Sequence, residues 1–448
     1  MKIVILGNGI AGTMSAQNIR YLNEDVDIEI HTQERYPYYS RINLPELIAD
    51  KKKYQELIAF DDSWYDNRNL KLILNHKAEK IDTINKTVYF IGDSSPVNYD
   101  KLLLALGSTP NIPPIKNATE MNKNKKGVFT LRSIDDALEI RNFIKTKSIK
   151  KAIVIGGGLL GLELANQIND SNLDTTVVEF FPRLLPRQLD EECGIMLKEE
   201  IESRGIKVVL DATTEEILGN GSVSGIKLKD GRTLEAGVVL IQAGITPIIN
   251  LAKDANINTN RGIIVNEFLE TSEKDVYAVG DCIEYKDQIW GIIPACMEQS
   301  KIVAASIIGS KRVEYEGTTP KTTLKIVGLE LTSIGIIDPT KENAGGWEIL
   351  KKADKDDCCY QKVILKDNKL KGAILFGDNK ALSYVYSKME EDVNKEELRK
   401  LLELYIYICN NCGTEYDESK MGIPFKDLPD DFKCPNCKGS KDQFKKKE

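Results

Sequence analysis

Lys2-Ile3-Val4-Ile5-Leu6-Gly7-Asn8-Gly9-Ile10-Ala11-Gly12 opens the chain with an apolar run that breaks on a patterned glycine turn. Ile3 to Leu6 predicts a strand, and Ala11 to Leu22 predicts a helix leaving the turn. In that context each glycine has a task. Gly7 permits the tight turn, Gly9 lets the backbone approach a pyrophosphate, and Gly12 lets the helix pack close to the strand with its N-terminus aimed at the phosphates. A second strand, Val26 to Ile30, leads to Gln33 and Glu34. Glu34 is the candidate acceptor for a ribose hydroxyl.

The pattern returns about 150 residues later. Gly156-Gly157-Gly158-Leu159-Leu160-Gly161 follows the apolar run Ala152 to Ile155, so Gly156, Gly158 and Gly161 take the same three roles. Its partner strand, Thr175 to Val178, ends in Glu179. A carboxylate there favours a free 2′-hydroxyl over a 2′-phosphate and so NADH over NADPH, although Arg183 and Arg187 stand nearby. Two such motifs in one chain predict two dinucleotides, FAD at one and a nicotinamide at the other.

With those motifs the sequence resembles the two-dinucleotide-binding flavoproteins of the glutathione reductase type. Leu103-Leu104-Ala105-Leu106-Gly107-Ser108-Thr109-Pro110 looks like the segment where that family leaves its FAD domain. Ile241 to Pro247, with Gly244, looks like its counterpart after the NAD domain. Thr271 to Asp281 resembles the second FAD motif, in which Asp281 would accept a hydrogen bond from the ribityl chain. Pro37-Tyr38-Tyr39-Ser40-Arg41, Pro186 to Asp190 and Pro294 to Gln299 are similar to the branch that holds NADH:rubredoxin reductases and nitrite reductase large subunits. That resemblance puts Arg41 near the FAD and Glu163 near the nicotinamide. It also puts Ala295 on a helix whose positive end faces the flavin.

Disulfide reductases of the family carry a cysteine pair after the first helix and a late histidine. Residues 39–50 contain no cysteine, and the only histidines are His31 and His76. His31 is expected at a strand end and His76 on a surface loop. A thiol relay lacks both its thiolate and its proton manager. Cys282 and Cys296 are expected to pack as small hydrophobes.

The C-terminus offers another exit for electrons. Cys409-Asn410-Asn411-Cys412 and Cys434-Pro435-Asn436-Cys437 are two C-x-x-C knuckles within some forty residues. Four sulfurs suit zinc or iron, and spacing alone leaves a structural zinc ribbon and an iron site balanced. Tyr407, Tyr416, Phe425, Phe432 and Phe444, with Asp427 to Pro435 and Gly439 to Phe444, closely resemble rubredoxin. The resemblance implies one iron held by four thiolates. The loop 417–424 is shorter than rubredoxin's usual one, and Phe432 stands where tryptophan is common.

The expected fold class is α/β, with two Rossmann-like dinucleotide-binding domains, a small α+β domain and a rubredoxin-like metal domain. Residues 1–108 and 241–312 would form a discontinuous FAD domain and 109–240 the NAD domain. Residues 313–395 would form the third domain, 396–404 a linker and 405–448 the metal domain. Residues 391–404 read as helix, either a spacer or docked. With 448 residues, 29% of them charged and a net charge of −7, the chain has an ordinary globular balance without the clustered positive charge of a nucleic-acid platform. No apolar run approaches the ~20 residues that span a bilayer. The N-terminus lacks signal-peptide order, and the five cysteines outside the two knuckles, at 193, 282, 296, 358 and 359, form no paired framework, so the cytoplasm is expected.

The resemblance implies NADH-driven transfer through FAD to the chain's own iron. It then implies transfer to partners such as flavodiiron, rubrerythrin-like or superoxide-reductase-like proteins. Two alternatives remain at this point. One is an NADH oxidase or a reductase for another acceptor. The other is a zinc-ribbon tail that only docks a partner.

Overall fold

A computed structural model of the chain describes all residues except 94, 311–312, 327, 340–344, 355–356, 422 and 448, and the side chains of 324–326. The chain forms two compact units. One comprises Met1–Gly156, Gln167–Asp174 and Thr214–Thr318. The other comprises Gly157–Asn166, Thr175–Thr213 and Thr319–Glu448.

The first unit is built on a five-stranded parallel sheet. Its order is Val276–Ala278, Lys101–Leu104, Lys2–Leu6, Asp27–His31, Lys71–Ile73. Parallel strands are covered on both faces, so they read as continuous apolar runs. Ile3, Val4 and Ile5 are accordingly inaccessible to solvent. Helix Ile10–Leu22 lies beside helix Ile293–Ile308, where the Asn18 amide donates to Ser300 Oγ at 3.0 Å. Helix Ile293–Ile308 starts with a proline in its first turn and stops at Gly309 in the left-handed region, φ 72°.

The same unit carries the parallel strands Lys151–Ile155, Val238–Ile241 and Val128–Thr130. The two segments expected to leave the dinucleotide domains lie side by side. Ser108–Pro110 pairs antiparallel with Ile245–Pro247, and Asn111 Nδ2 closes the pair onto Ala243 O at 3.1 Å.

In the second unit, Thr176, Val177 and Val178 pair in parallel with Lys207, Val208 and Val209. A five-stranded antiparallel sheet follows, in the order Lys321–Ile326, Leu329–Gly335, Lys369–Phe376, Cys359–Lys366, Trp347–Asp354. Val363, Leu365, Ala373 and Leu375 form a core with Val385, Leu398, Leu402 and Leu404. The helical reading of 391–404 is therefore resolved as a docked helix. Lys395–Leu401 buries its apolar side and does not span solvent.

Residues 405–446 hold a three-stranded sheet with Ile406–Cys409 between Glu415–Asp417 and Phe444–Lys446. This module is clasped to the preceding domain. Arg399 grips Asp417 with both terminal nitrogens, at 2.9 and 3.1 Å. Lys426 Nζ sits 2.7 Å from Asp354 at the end of strand Trp347–Asp354. The buried Glu418 carboxylate accepts the backbone N–H groups of Tyr405 and Phe425, both at 2.7 Å.

Candidate active site and metal centre

At the first fingerprint, a Cβ on Gly7 would lie 2.1 Å from Ala105 O, and one on Gly12 would lie 2.1 Å from Gly7 O. Strand, turn and helix are therefore in direct backbone contact. Before Gly9 nothing stands within 4 Å, and helix Ile10–Leu22 has no side-chain cap. A helix start without a side-chain acceptor, beside an open Gly9, fits a pyrophosphate.

Asp281 is the centre of a second polar group. Ser108 Oγ donates to its Oδ2 at 2.8 Å, and Arg132 Nη2 pairs with the same oxygen at 2.9 Å. Gly107, in the left-handed region at φ 70°, packs near Arg132. Cys282 is fully buried, and Cys296 and Ala295 nearly so. Burial pushes the Cys282 thiol up to about 11 and raises that of Cys296 further. Neither thiol ionises readily, as expected of packing residues.

Glu34 and Arg41, expected separately, form an ion pair at 2.6 Å. Tyr39 donates to the other Glu34 oxygen, and its phenol is pushed up by burial. Arg41 also donates to the Arg132 carbonyl. Of Arg132, Ser108 and Tyr39, only Arg132 lies outside the motifs quoted above. Arg132 directly precedes the Ser133–Asp136 capping box of helix Ile134–Thr146, which is the one local signal that marks its position.

At the second fingerprint, a Cβ on Gly156 would lie 2.3 Å from Gln242 O, while Gly158 faces open space. Gly156 and Gly158 thus repeat the geometry of Gly7 and Gly9. Glu179 accepts the N–H of Gly157 and, at 2.9 Å, that of Phe181, and only 6% of it is exposed. It therefore braces the glycine turn. Glu163 and Gly161 lie on helix Leu159–Asp170, and Gly244 adopts φ 87° where the chain leaves Val238–Ile241. Arg183 is turned onto Pro186 O at 3.2 Å, and Arg187 is exposed.

His31 ends strand Asp27–His31 as expected. His76 departs from a plain surface loop. Its ring stacks on Phe90 at 3.8 Å, and its Nδ1 lies 2.8 Å from His31 Nδ1. Two imidazoles packed beside one phenyl ring bury more surface than a solvated loop would.

The sulfurs of Cys409, Cys412, Cys434 and Cys437 all lie within 4.8 Å of one another. Cys409–Cys437 and Cys412–Cys434 are each 3.6 Å apart. Metal–sulfur bonds of about 2.3 Å in a tetrahedron require about 3.8 Å, so the cage fits one ion. Each knuckle folds alike. Gly413 N donates to Cys409 O at 2.8 Å, and Lys438 N donates to Cys434 O at 3.0 Å. The Thr414 hydroxyl and N–H hold the Cys412 thiol down at about 6, while the neighbouring thiols push Cys437 up. Tyr407 stacks on Phe425 at 4.2 Å, and Tyr416, Phe432 and Phe444 close the small core. Cys409 and Cys434 are buried, and Cys437 is exposed.

Residues 1–300 match the pyridine nucleotide-disulphide oxidoreductase family. The chain belongs to this family. Within the pyridine nucleotide-disulphide oxidoreductases it carries two further modules. Residues 320–393 match the rubredoxin NAD+ reductase C-terminal domain, and 406–444 match rubredoxin. The family binds FAD and NAD, in agreement with the two cradles. A nitrite reductase [NAD(P)H] of Bacillus subtilis is 36% identical over 89% of this chain and 48% of its own length. The chain thus spans about half the length of the nitrite reductase relatives. The NADH-rubredoxin oxidoreductase of Clostridium acetobutylicum is 32% identical over 84% of this chain and 91% of its own. The crystal structure of the Clostridium acetobutylicum NADH:rubredoxin oxidoreductase gives a TM-score of 0.67 at 31% identity, covering 86% of this chain and 93% of that one. The fold alone is shared with the NAD-dependent persulfide reductase from A. fulgidus, at a TM-score of 0.79 and 23% identity, with 89% of this chain and 78% of that one covered. Among the described residues, no helix is long and apolar enough to cross a membrane.

Proposed function

We propose that the chain is a self-contained NADH:rubredoxin oxidoreductase that passes electrons from NADH to its own C-terminal iron site and on to external proteins. The observation that carries this reading is a four-sulfur cage in the same chain as two dinucleotide cradles, with no cysteine at residues 39–50 to serve as a disulfide relay. Bound FAD supplies a hydride acceptor that can release electrons singly, and an iron tetrathiolate supplies a one-electron acceptor.

The residues divide this work. Gly7, Gly9 and Gly12 hold the FAD pyrophosphate, and Asp281, oriented by Ser108 and Arg132, takes the ribityl chain. Glu34, paired with Arg41, stands at the adenosine end. Ala105, Gly107 and Ala295 leave room for the cofactor. Gly156, Gly158 and Gly161 hold the NADH phosphates, Glu179 its ribose, and Gly244 the turn beside it, while Glu163 acts at the nicotinamide. Cys409, Cys412, Cys434 and Cys437 ligate iron, with exposed Cys437 as the exit. External partners would be oxygen- or peroxide-detoxifying proteins of the flavodiiron, rubrerythrin or superoxide-reductase kind, in the cytoplasm. The relatives' names support the rubredoxin step.

Anaerobic stopped flow with NADH tests the sequence of events. The flavin band should bleach first, and the iron band should follow at a rate independent of protein concentration, because a tethered acceptor needs no encounter. An iron rate proportional to protein concentration, or zinc in freshly purified protein, would overturn the reading.

A further inference from the structure

A buried chain of hydrogen bonds runs from the second FAD motif to the protein surface. Gly280 N–H donates to Gln299 Oε1 at 2.8 Å, and Gln299 Nε2 donates to the Tyr315 hydroxyl at 3.0 Å. The Tyr315 and Thr318 hydroxyls lie 2.8 Å apart, and Thr318 Oγ1 donates to Glu298 Oε2 at 2.6 Å. Thr318 has one proton and gives it to the carboxylate, so Tyr315 donates to Thr318. Every donor in the chain therefore points the same way, toward Glu298. Gln299 and Tyr315 are 1% exposed and Thr318 6%, whereas Glu298 reaches solvent. Trp290 Nε1 fixes the Thr318 carbonyl at 2.8 Å.

The inner end of the chain has a consequence for the cradle. Gly280 has φ 84°, and a Cβ there would lie 2.9 Å from the Ala11 Cβ. The turn carrying Asp281 thus rests on the first turn of the phosphate-binding helix. In a chain of aligned hydrogen bonds each member polarises the next, and a carboxylate at the end strengthens all of them.

We propose that Glu298, Thr318, Tyr315 and Gln299 form a polarised positioning relay that holds the Gly280–Asp281 turn against the phosphate cradle and thereby sets how long FAD stays bound. The proposal rests on the assignment of FAD to that cradle. Glu298 and Gln299 are adjacent on helix Ile293–Ile308, so one helix supplies both ends of the relay.

FAD release, read as the rise in flavin fluorescence after dilution of the holoprotein, tests it. Tyr315→Phe and Thr318→Val each cut the relay and should release FAD about tenfold faster. Thr318→Ser keeps the hydroxyl and should restore the wild-type rate. Glu298→Gln should accelerate release in the wild-type background and have no effect in the Tyr315→Phe background. Hydrogen exchange of the peptide spanning 279–283 should rise in Thr318→Val. Wild-type release in Thr318→Val with unchanged exchange overturns the relay, as does a Glu298→Gln effect that persists with Tyr315→Phe. If Tyr315→Phe fails to fold, the Val and Ser variants at Thr318 decide the matter. A wild-type protein that binds no FAD overturns the assignment of FAD instead.

Discussion

The His31 imidazole is 4% exposed and shares a hydrogen bond with His76 through a single proton between their Nδ1 atoms. Burial, then the neighbouring His76, hold its pKa down at about 4. Above pH 6.5 the folded and unfolded chains both carry a neutral ring, so His31 contributes no pH dependence there. Between 6.5 and 4 the unfolded chain takes a proton that the native state refuses. Stability therefore falls on acidification through that window, by at most about 1.4 kcal/mol per pH unit. Glu29 acts in a different window. Lys71 and Lys2 outweigh the burial that would raise it and lower it to about 2. Its contribution is present above 4.5 and is lost as pH falls toward 2. Thermal melts of the wild type should drop between pH 7 and 5, and His31→Gln should flatten that slope. Equal slopes would show that the pair is solvated. Nothing in the sequence joins the two histidines, because the contact arises only when neighbouring strands fold together. The same holds for Arg132 and Asp281. Asp281 sits in a recognisable motif, whereas its partner Arg132 is marked only by the capping box that follows it.

At the scale of elements, the glycine turns were legible because the backbone itself excludes a side chain at Gly7 and Gly12. The two knuckles were legible because four sulfurs at fixed spacing have few other uses. The helix Lys395–Leu401 was only half legible. Its leucines showed that one side was apolar but not what would cover that side. The answer is the antiparallel sheet, where Leu398 and Leu402 are fully buried. Leu398→Ala should destabilise the second unit by roughly 2–4 kcal/mol. Because Arg399 on the same helix holds Asp417, the variant should also expose residues 402–406 to limited proteolysis. A variant cut no faster than wild type would mean that the clasp is independent of this helix.

For the whole molecule, the proposed electron route ends at the four-cysteine site, so breaking that site should stop transfer there. In a Cys409→Ser, Cys434→Ser double variant, NADH should still bleach the flavin band. Reduction of an external acceptor protein should fall by more than tenfold. Retained acceptor reduction would make the metal module auxiliary. Each module could be recognised from local residues alone. What local residues could not reveal was the clasp of Lys426 on Asp354, which joins two modules through charges far apart in the chain.

That clasp bears on how the protein is made. Translation completes the sheet strand bearing Asp354 well before Cys434 and Cys437, and domains generally fold as units from the N-terminal side. The metal module is therefore born onto a finished platform, with its second pair of sulfurs arriving last. On the proposed route, a cell short of iron would accumulate folded reductase whose flavin has no outlet. Iron supply, and not the synthesis of the chain, would then decide how many molecules complete the circuit.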